Sequence, residues 1–232
     1  MVFLNSGIRL VTTIHDPIIH EGQFKGVFGK IISKSNYWIL KTLNRKGLVL
    51  HFHDRKLVKN TQWEALGNVE FIPHPIPVPI CVKQRKSKII RFIFAGRIEP
   101  YKGLDVLVDA FVKLKKYFSY PYELLIVGRG NIEERVLNVI HGEVNIELIN
   151  EFVSDQELHQ YIVDSDVMVL PYKNATSSGV GALAVAYNVP VITTKVGTLT
   201  SLLDYHTNSV GCEASCVESL LIAMKKYLCR VR

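Results

Sequence analysis

This 232-residue chain is short of the features that mark fibrous, disulfide-stapled or membrane-spanning proteins. No apolar run reaches the roughly 18 residues of a transmembrane helix. The N-terminus lacks a basic stretch followed by an apolar one, so no secretory leader is read there. The expectation is a soluble or peripheral protein of the cytoplasm. Cysteine is scarce: Cys81, Cys212, Cys216 and Cys229 follow neither a metal-site spacing nor a disulfide framework, which favours reduced thiols. Repeats and low-complexity tracts are missing, which argues against disorder. Hydrophobic residues make up 48% of the chain, enough for one large core or two smaller ones.

Acid is what the first third has little of. Through Lys88 there are 14 Lys and Arg against 5 Asp and Glu, whereas the remainder carries 14 against 16, so the whole net charge of +7 originates in the first third. Residues 22–50 contain Lys25, Lys30, Lys34, Lys41, Arg45 and Lys46 without one acid, interleaved with Phe24, Phe28, Ile31, Ile32, Tyr37, Trp38 and Leu40. Such a segment suits an anionic membrane surface or a lipid-phosphate acceptor. The alternative is a solvated basic face over an ordinary core helix. No nucleic-acid reading motif accompanies the charge, so nucleic acid is not an expected partner.

Apolar periodicity predicts strands at Ile8–Ile14, Leu48–Phe52 and Val69–Ile72, with a helix over Gly26–Asn44 and a short one over Arg55–Leu66. His74-Pro75-Ile76-Pro77-Val78-Pro79 cannot pair regularly and reads as a linker. Beyond it, strands at Ile89–Ala95, Glu123–Val127, Asn145–Ile149, Val167–Leu170 and Val189–Thr194 alternate with helices at Gly103–Tyr117, Ile132–His141, Asp155–Asp164 and Gly179–Tyr187. A short helix near Thr200–Tyr205 and a terminal one near Ser215–Leu228 follow. This rhythm predicts an α/β protein with a doubly wound parallel sheet. We expect a partial Rossmann-like domain over residues 1–76, resembling the latter half of such a domain, and a complete or nearly complete one over 77–232.

Three loops at the carboxyl ends of strands carry the candidate chemistry. Gly96-Arg97 follows the first strand of the second piece, and Lys102-Gly103 opens the next helix. A guanidinium clamps phosphate through two parallel hydrogen bonds, and a lysine adds a point charge. Gly128-Arg129-Gly130 is a glycine-flanked turn at the same edge. Thr176, Ser177 and Ser178, with the backbone amides of Gly179 and Val180, precede a small-residue helix whose N-terminus favours anions. Their convergence at one sheet edge points to a ligand bearing phosphate.

Gly96-Arg97 with Glu99-Pro-Tyr-Lys102-Gly103-Leu-Asp105, then Leu125-Ile-Val-Gly128, then Ala184 to Thr194 with Val196-Gly197, resemble the C-terminal domain of family 4 glycosyltransferases over about residues 74–229. Val11-Thr-Thr-Ile-His15-Asp16-Pro17 resembles the cleft-facing loop of their N-terminal domain. The resemblance implies the GT-B fold and transfer of a sugar, with retention and without a metal or other cofactor, from a nucleotide-diphosphate sugar to a glycan or lipid-linked acceptor in polysaccharide or glycoconjugate synthesis. It implies that Arg97 and Lys102 bind the diphosphate, that His15 faces the transferred sugar, and that Gly96, Gly128, Arg129, Ser177, Ser178, Gly179 and Val180 line the donor site.

Two departures stand out. The family commonly has two glutamates eight residues apart near Ser178, where this chain has Ala175 and Leu183. The first half of the N-terminal domain, with its glycine-rich loop, has no counterpart. A truncated, non-catalytic nucleotide-sugar-binding protein is therefore the alternative. An epimerase of the same fold would need cleft carboxylates that the sequence does not place. His51-Phe-His53-Asp54 sets two imidazoles on one strand face but has no further ligand cluster beside it.

Overall fold

The computed structural model describes residues 9–14, 27–52, 55, 58, 59, 61–72, 79–119 and 121–231. Two compact units are present, Met1–His74 and Pro75–Arg232.

In the first unit, β1 (Val11–Thr13), β2 (Val49–Phe52) and β3 (Val69–Phe71) form a parallel sheet in that order, with α1 (Val27–Asn44) linking β1 to β2. Central β2 turns Leu50 and Phe52 into a small core with Leu48, Val58 and Trp63. Buried Asn44 closes α1 and joins it to the sheet: its Nδ2 donates to the carbonyls of Leu48 (2.9 Å) and Asn68 (2.7 Å). Over Arg55–Leu66, where a helix is expected, the described residues show a 3₁₀ conformation at Arg55 and turns at 58, 59 and 62–65 rather than α-helix. Thr61 explains this, since its hydroxyl donates to the Val58 carbonyl at 2.6 Å and accepts from the Trp63 amide at 3.3 Å. Those local bonds compete with a helical ladder.

The second unit is built on six parallel strands in the order β6-β5-β4-β7-β8-β9. They are β4 (Ile90–Ala95), β5 (Tyr122–Val127), β6 (Ile146–Ile149), β7 (Val167–Leu170), β8 (Val191–Thr194) and β9 (Val210–Cys212). The helices are α2 (Leu104–Lys113), α3 (Glu134–Gly142), α4 (Asp155–Val163), α5 (Gly179–Ala186) and α6 (Val217–Arg230). Alternate strand residues feed opposite faces. Phe92, Phe94, Leu124 and Ile126 pack with residues of α2, α3 and α6, while Ile93, Ala95, Leu125 and Val127 pack with those of α4 and α5. A parallel sheet covered on both faces needs such unbroken apolar strands. Helix α4 begins with a full capping box between Ser154 and Glu157.

Strand order positions the site. The chain runs outward from β4 through β5 to β6, then returns by α4 to place β7 on the other side of β4. The reversal opens a crevice between the carboxyl ends of β4 and β7, where open α/β sheets bind ligands. The loops beginning at Gly96 and Pro171 border it.

Candidate functional site

Gly96 leaves β4 with φ +98°, a left-handed conformation that favours glycine. Its backbone continues the ladder into the next loop: the Gly96 amide donates to the Val127 carbonyl at 3.0 Å and the Ile98 amide to the Arg129 carbonyl at 3.0 Å. A Cβ on Gly128, where φ is +141°, would lie 2.1 Å from the Gly96 carbonyl oxygen. The demand for glycine at 128 is thus met by backbone packing. Arg129 beside it is exposed.

A 3₁₀ turn over Pro100–Lys102 then delivers Gly103, at φ +71°, as the start of α2. A Cβ at Gly103 would lie 2.1 Å from the Pro171 carbonyl oxygen, so this glycine lets the β4 loop touch the β7 loop. The Lys173 amide donates to the Tyr101 carbonyl at 2.7 Å, and the Lys173 ammonium reaches Asp105 at 2.8 Å, bracing the same two loops.

These contacts fold Lys102 inward. The side chain is only 7% exposed, and its Nζ lies 3.1 Å from where a Gly96 Cβ would be, with the Val180 side chain 3.4 Å from that point. Among the described residues no carboxylate pairs with it. Burial above all, with the neighbouring Arg97 charge, lowers its pKa from 10.5 to about 8, partly offset by Glu99. Arg97 itself is exposed and has no ion pair among the described residues.

The β7 loop supplies the other wall. Ser178 caps α5, its Oγ accepting from the Gly181 amide at 3.1 Å. Among the described residues the Gly179 and Val180 amides have no protein acceptor, as expected at a helix start. Ser177 is half-buried beside them. Buried Thr176 ties the loop to the chain beyond β8, its carbonyl accepting from the amide and hydroxyl of Thr198 at 3.1 and 2.7 Å. Ala175 is also buried, and its carbonyl oxygen would lie 2.0 Å from a Cβ on Gly197, where φ is +51°.

Gly96, Lys102 and Val180 therefore meet at one point, with Ser178 and Gly179 adjoining through the start of α5. Arg97 follows Gly96 on the β4 loop, and Gly128 and the Arg129 carbonyl pack against the backbone of that loop. His15 falls outside the described residues, as do His53 and Asp54. The ring nitrogens of His51 lie 3.0 Å from the Thr13 hydroxyl and 3.1 Å from the Ile72 carbonyl oxygen. Among the described residues no group of three or more His, Cys, Asp or Glu could hold a metal ion.

Sequence reasoning passed over Tyr172. Its ring lies 5.5 Å from Lys102 Nζ, and its hydroxyl lies 3.2 Å from Ser178 Oγ. The available signal was an aromatic residue directly after Pro171 at the end of a buried strand.

The glycosyl transferases group 1 family model matches residues 90–229, more than half of the chain and the whole of this site. The chain belongs to that family. Within the glycosyl transferases group 1 setting, the chain is 32% identical over 117 residues to a D-inositol 3-phosphate glycosyltransferase of Jonesia denitrificans, covering 47% of this chain and 28% of that protein. It is 24% identical over 120 residues to an uncharacterized glycosyltransferase of Methanocaldococcus jannaschii, covering 51% and 30% respectively. The aligned stretches thus span under a third of these curated relatives. Among solved structures, a glycosyltransferase from Rickettsia africae superposes with a TM-score of 0.66 at 16% identity, over 83% of this chain and 57% of that one. A sucrose-phosphate synthase from Thermosynechococcus elongatus gives 0.59 at 14%, over 91% and 71%. The fold is accordingly of the GT-B type, α/β with Rossmann-like parallel sheets.

Proposed function

We propose that this chain transfers a hexose-type sugar from a nucleotide-diphosphate donor to a glycan or lipid-linked acceptor, with retention. The donor diphosphate lies between the Gly96–Gly103 and Ser177–Val180 segments. The observation that carries this is the buried Lys102 ammonium, which has no carboxylate partner among the described residues and faces the start of α5. Holding such a charge out of water is costly, and an anion bound beside it would offset that cost.

In this reading catalysis is electrostatic. As the sugar leaves, negative charge grows on the diphosphate, and Arg97, Lys102, the Gly179 and Val180 amides and the α5 dipole already surround that charge. These groups supply the positive potential, so no metal is called for. Ribose and sugar hydroxyls are held by Ser177 and backbone groups, because Ala175 and Leu183 stand where carboxylates are common. Arg97→Ala should lower release of nucleoside diphosphate from the donor at least about tenfold, on the order of a few kcal/mol of transition-state stabilisation. An unchanged rate removes the claim.

Donor binding without transfer is the second reading, favoured by the apolar residues at 175 and 183. Wild-type chain that binds donor but never releases nucleoside diphosphate, even slowly, supports it.

We further infer that α1 rests on an anionic membrane surface at the inner face of the membrane. Trp38, at 60% exposure, with Ile39 and Leu43 stands outside the core beside Lys34, Arg45 and Lys46. No helix among the described residues is long and apolar enough to cross a membrane.

A further inference from the structure

We infer that Tyr172 is a positioning residue that ties the two walls of the diphosphate cradle together, setting the Lys102 ammonium with its ring and the start of α5 with its hydroxyl. This rests on the donor site proposed above and adds to it a side chain that does not itself touch the ligand.

The geometry is specific. Tyr172 lies just beyond the end of β7, after Pro171, and is only 2% exposed. On one side its ring lies within cation–π range of Lys102 Nζ, at 5.5 Å. On the other, its hydroxyl is 3.2 Å from Ser178 Oγ, the atom that caps α5 through the Gly181 amide. The residue is held from two further directions. Tyr101 packs edge-on at 6.0 Å, and the Tyr172 carbonyl accepts from the Thr194 hydroxyl at 2.7 Å.

A phenol suits this place because its face is apolar yet electron-rich and its tip is polar. Burial raises the Tyr172 pKa far above its usual value, so the hydroxyl stays protonated throughout the working range. The other charges that act on Lys102 are Arg97, which disfavours its protonation, and Glu99, which favours it, both from its own loop. The Asp105–Lys173 pair spans the same two loops and is already internally neutral. Among the described residues, the Tyr172 ring is thus the contact that favours a charged Lys102 from across the crevice.

Two variants separate the two halves of the role. Tyr172→Leu keeps the site apolar but removes the quadrupole, whereas Tyr172→Phe keeps the ring and removes only the hydroxyl. The titration of Lys102 is followed by NMR on the full chain with ¹³Cε-labelled lysine, assigned by Lys102→Met, with no ligand present. Tyr172→Leu should lower the Lys102 midpoint by about half a pH unit or more, and Tyr172→Phe should leave it in place. Affinity for UDP, GDP, ADP and dTDP is then measured at pH 7. Tyr172→Phe should weaken the tightest of these about twofold to tenfold, and should have no further effect when Ser178 is already Ala. An unmoved midpoint in Tyr172→Leu overturns the Lys102 half. Undiminished affinity in Tyr172→Phe, or loss additive with Ser178→Ala, overturns the α5 half. If Tyr172→Leu does not fold, Tyr172→Met serves in its place. Wild-type chain that binds none of the four nucleotides sinks the donor site itself, a result separable from the lysine titration, which needs no ligand.

Discussion

Lys102 is held where its charge is disfavoured, so replacing it should strengthen the fold while disabling the site. Its pKa is about 8 in the native chain against 10.5 as the ordinary value, a depression of about 2.5 units. At about 1.36 kcal/mol per unit, carrying the protonated amine into the fold costs on the order of 3 kcal/mol at pH 7. The sign follows from proton counts. Between pH 8 and 10.5 the unfolded chain binds more protons at this residue than the native chain, so the wild type gains stability as pH rises through that window. Below pH 8 both states are protonated and the cost is constant. Lys102→Met fills similar space with an adaptable apolar chain and removes the cost, less about 0.5–1 kcal/mol of lost cation–π contact with Tyr172. The expected gain is about 2 kcal/mol at pH 7, falling toward zero or slightly below by pH 10.5. Urea unfolding of both proteins across this range, followed by far-ultraviolet circular dichroism, reads the difference. A variant less stable than wild type at pH 7, or a gain that does not change with pH, would show that the fold does not disfavour the Lys102 charge.

Gly103→Ala should cost about 2–5 kcal/mol, combining a left-handed φ with a Cβ thrust 2.1 Å from the Pro171 oxygen; a thermal midpoint within a degree of wild type would contradict it. Ser178→Ala removes the α5 cap and should cost about 1 kcal/mol while also weakening nucleoside diphosphate binding, both measured on one preparation. Flotation with vesicles containing anionic lipid should carry the chain upward at low salt, with Trp38→Ala and raised salt each reducing the floated fraction; binding indifferent to both would end the idea of a membrane-resting α1.

The second unit was largely legible in the sequence because its strands are buried on both faces, which writes them as short apolar runs between glycine-marked turns. Strand β9 was not, since Val210-Gly211-Cys212 is three residues long with glycine in the middle and carries no period. The stretch 55–66 shows the opposite error, where spacing suggested a helix but the described residues form turns around the Thr61 hydroxyl. At the site, the loops at Gly96, Gly128 and Ser178 could be assigned to one sheet edge from strand order alone. The inward fold of Lys102 could not, because it depends on contacts that Gly103 and Gly128 make with residues distant in sequence. Ser178 reads in the sequence as part of an anion cradle, and in the fold its hydroxyl caps α5. Tyr172 was invisible as a bridge because its two partners come from different loops.

We propose that Arg97, Lys102 and the start of α5 hold a nucleoside diphosphate. Calorimetric titration of the full chain with UDP, GDP, ADP and dTDP at pH 7 decides this, in wild type, Arg97→Ala and Lys102→Met. At least one nucleotide should bind the wild type, and both substitutions should weaken that binding by about tenfold or more. No binding of any of the four to the wild type, or equal binding by all three proteins, would contradict the account.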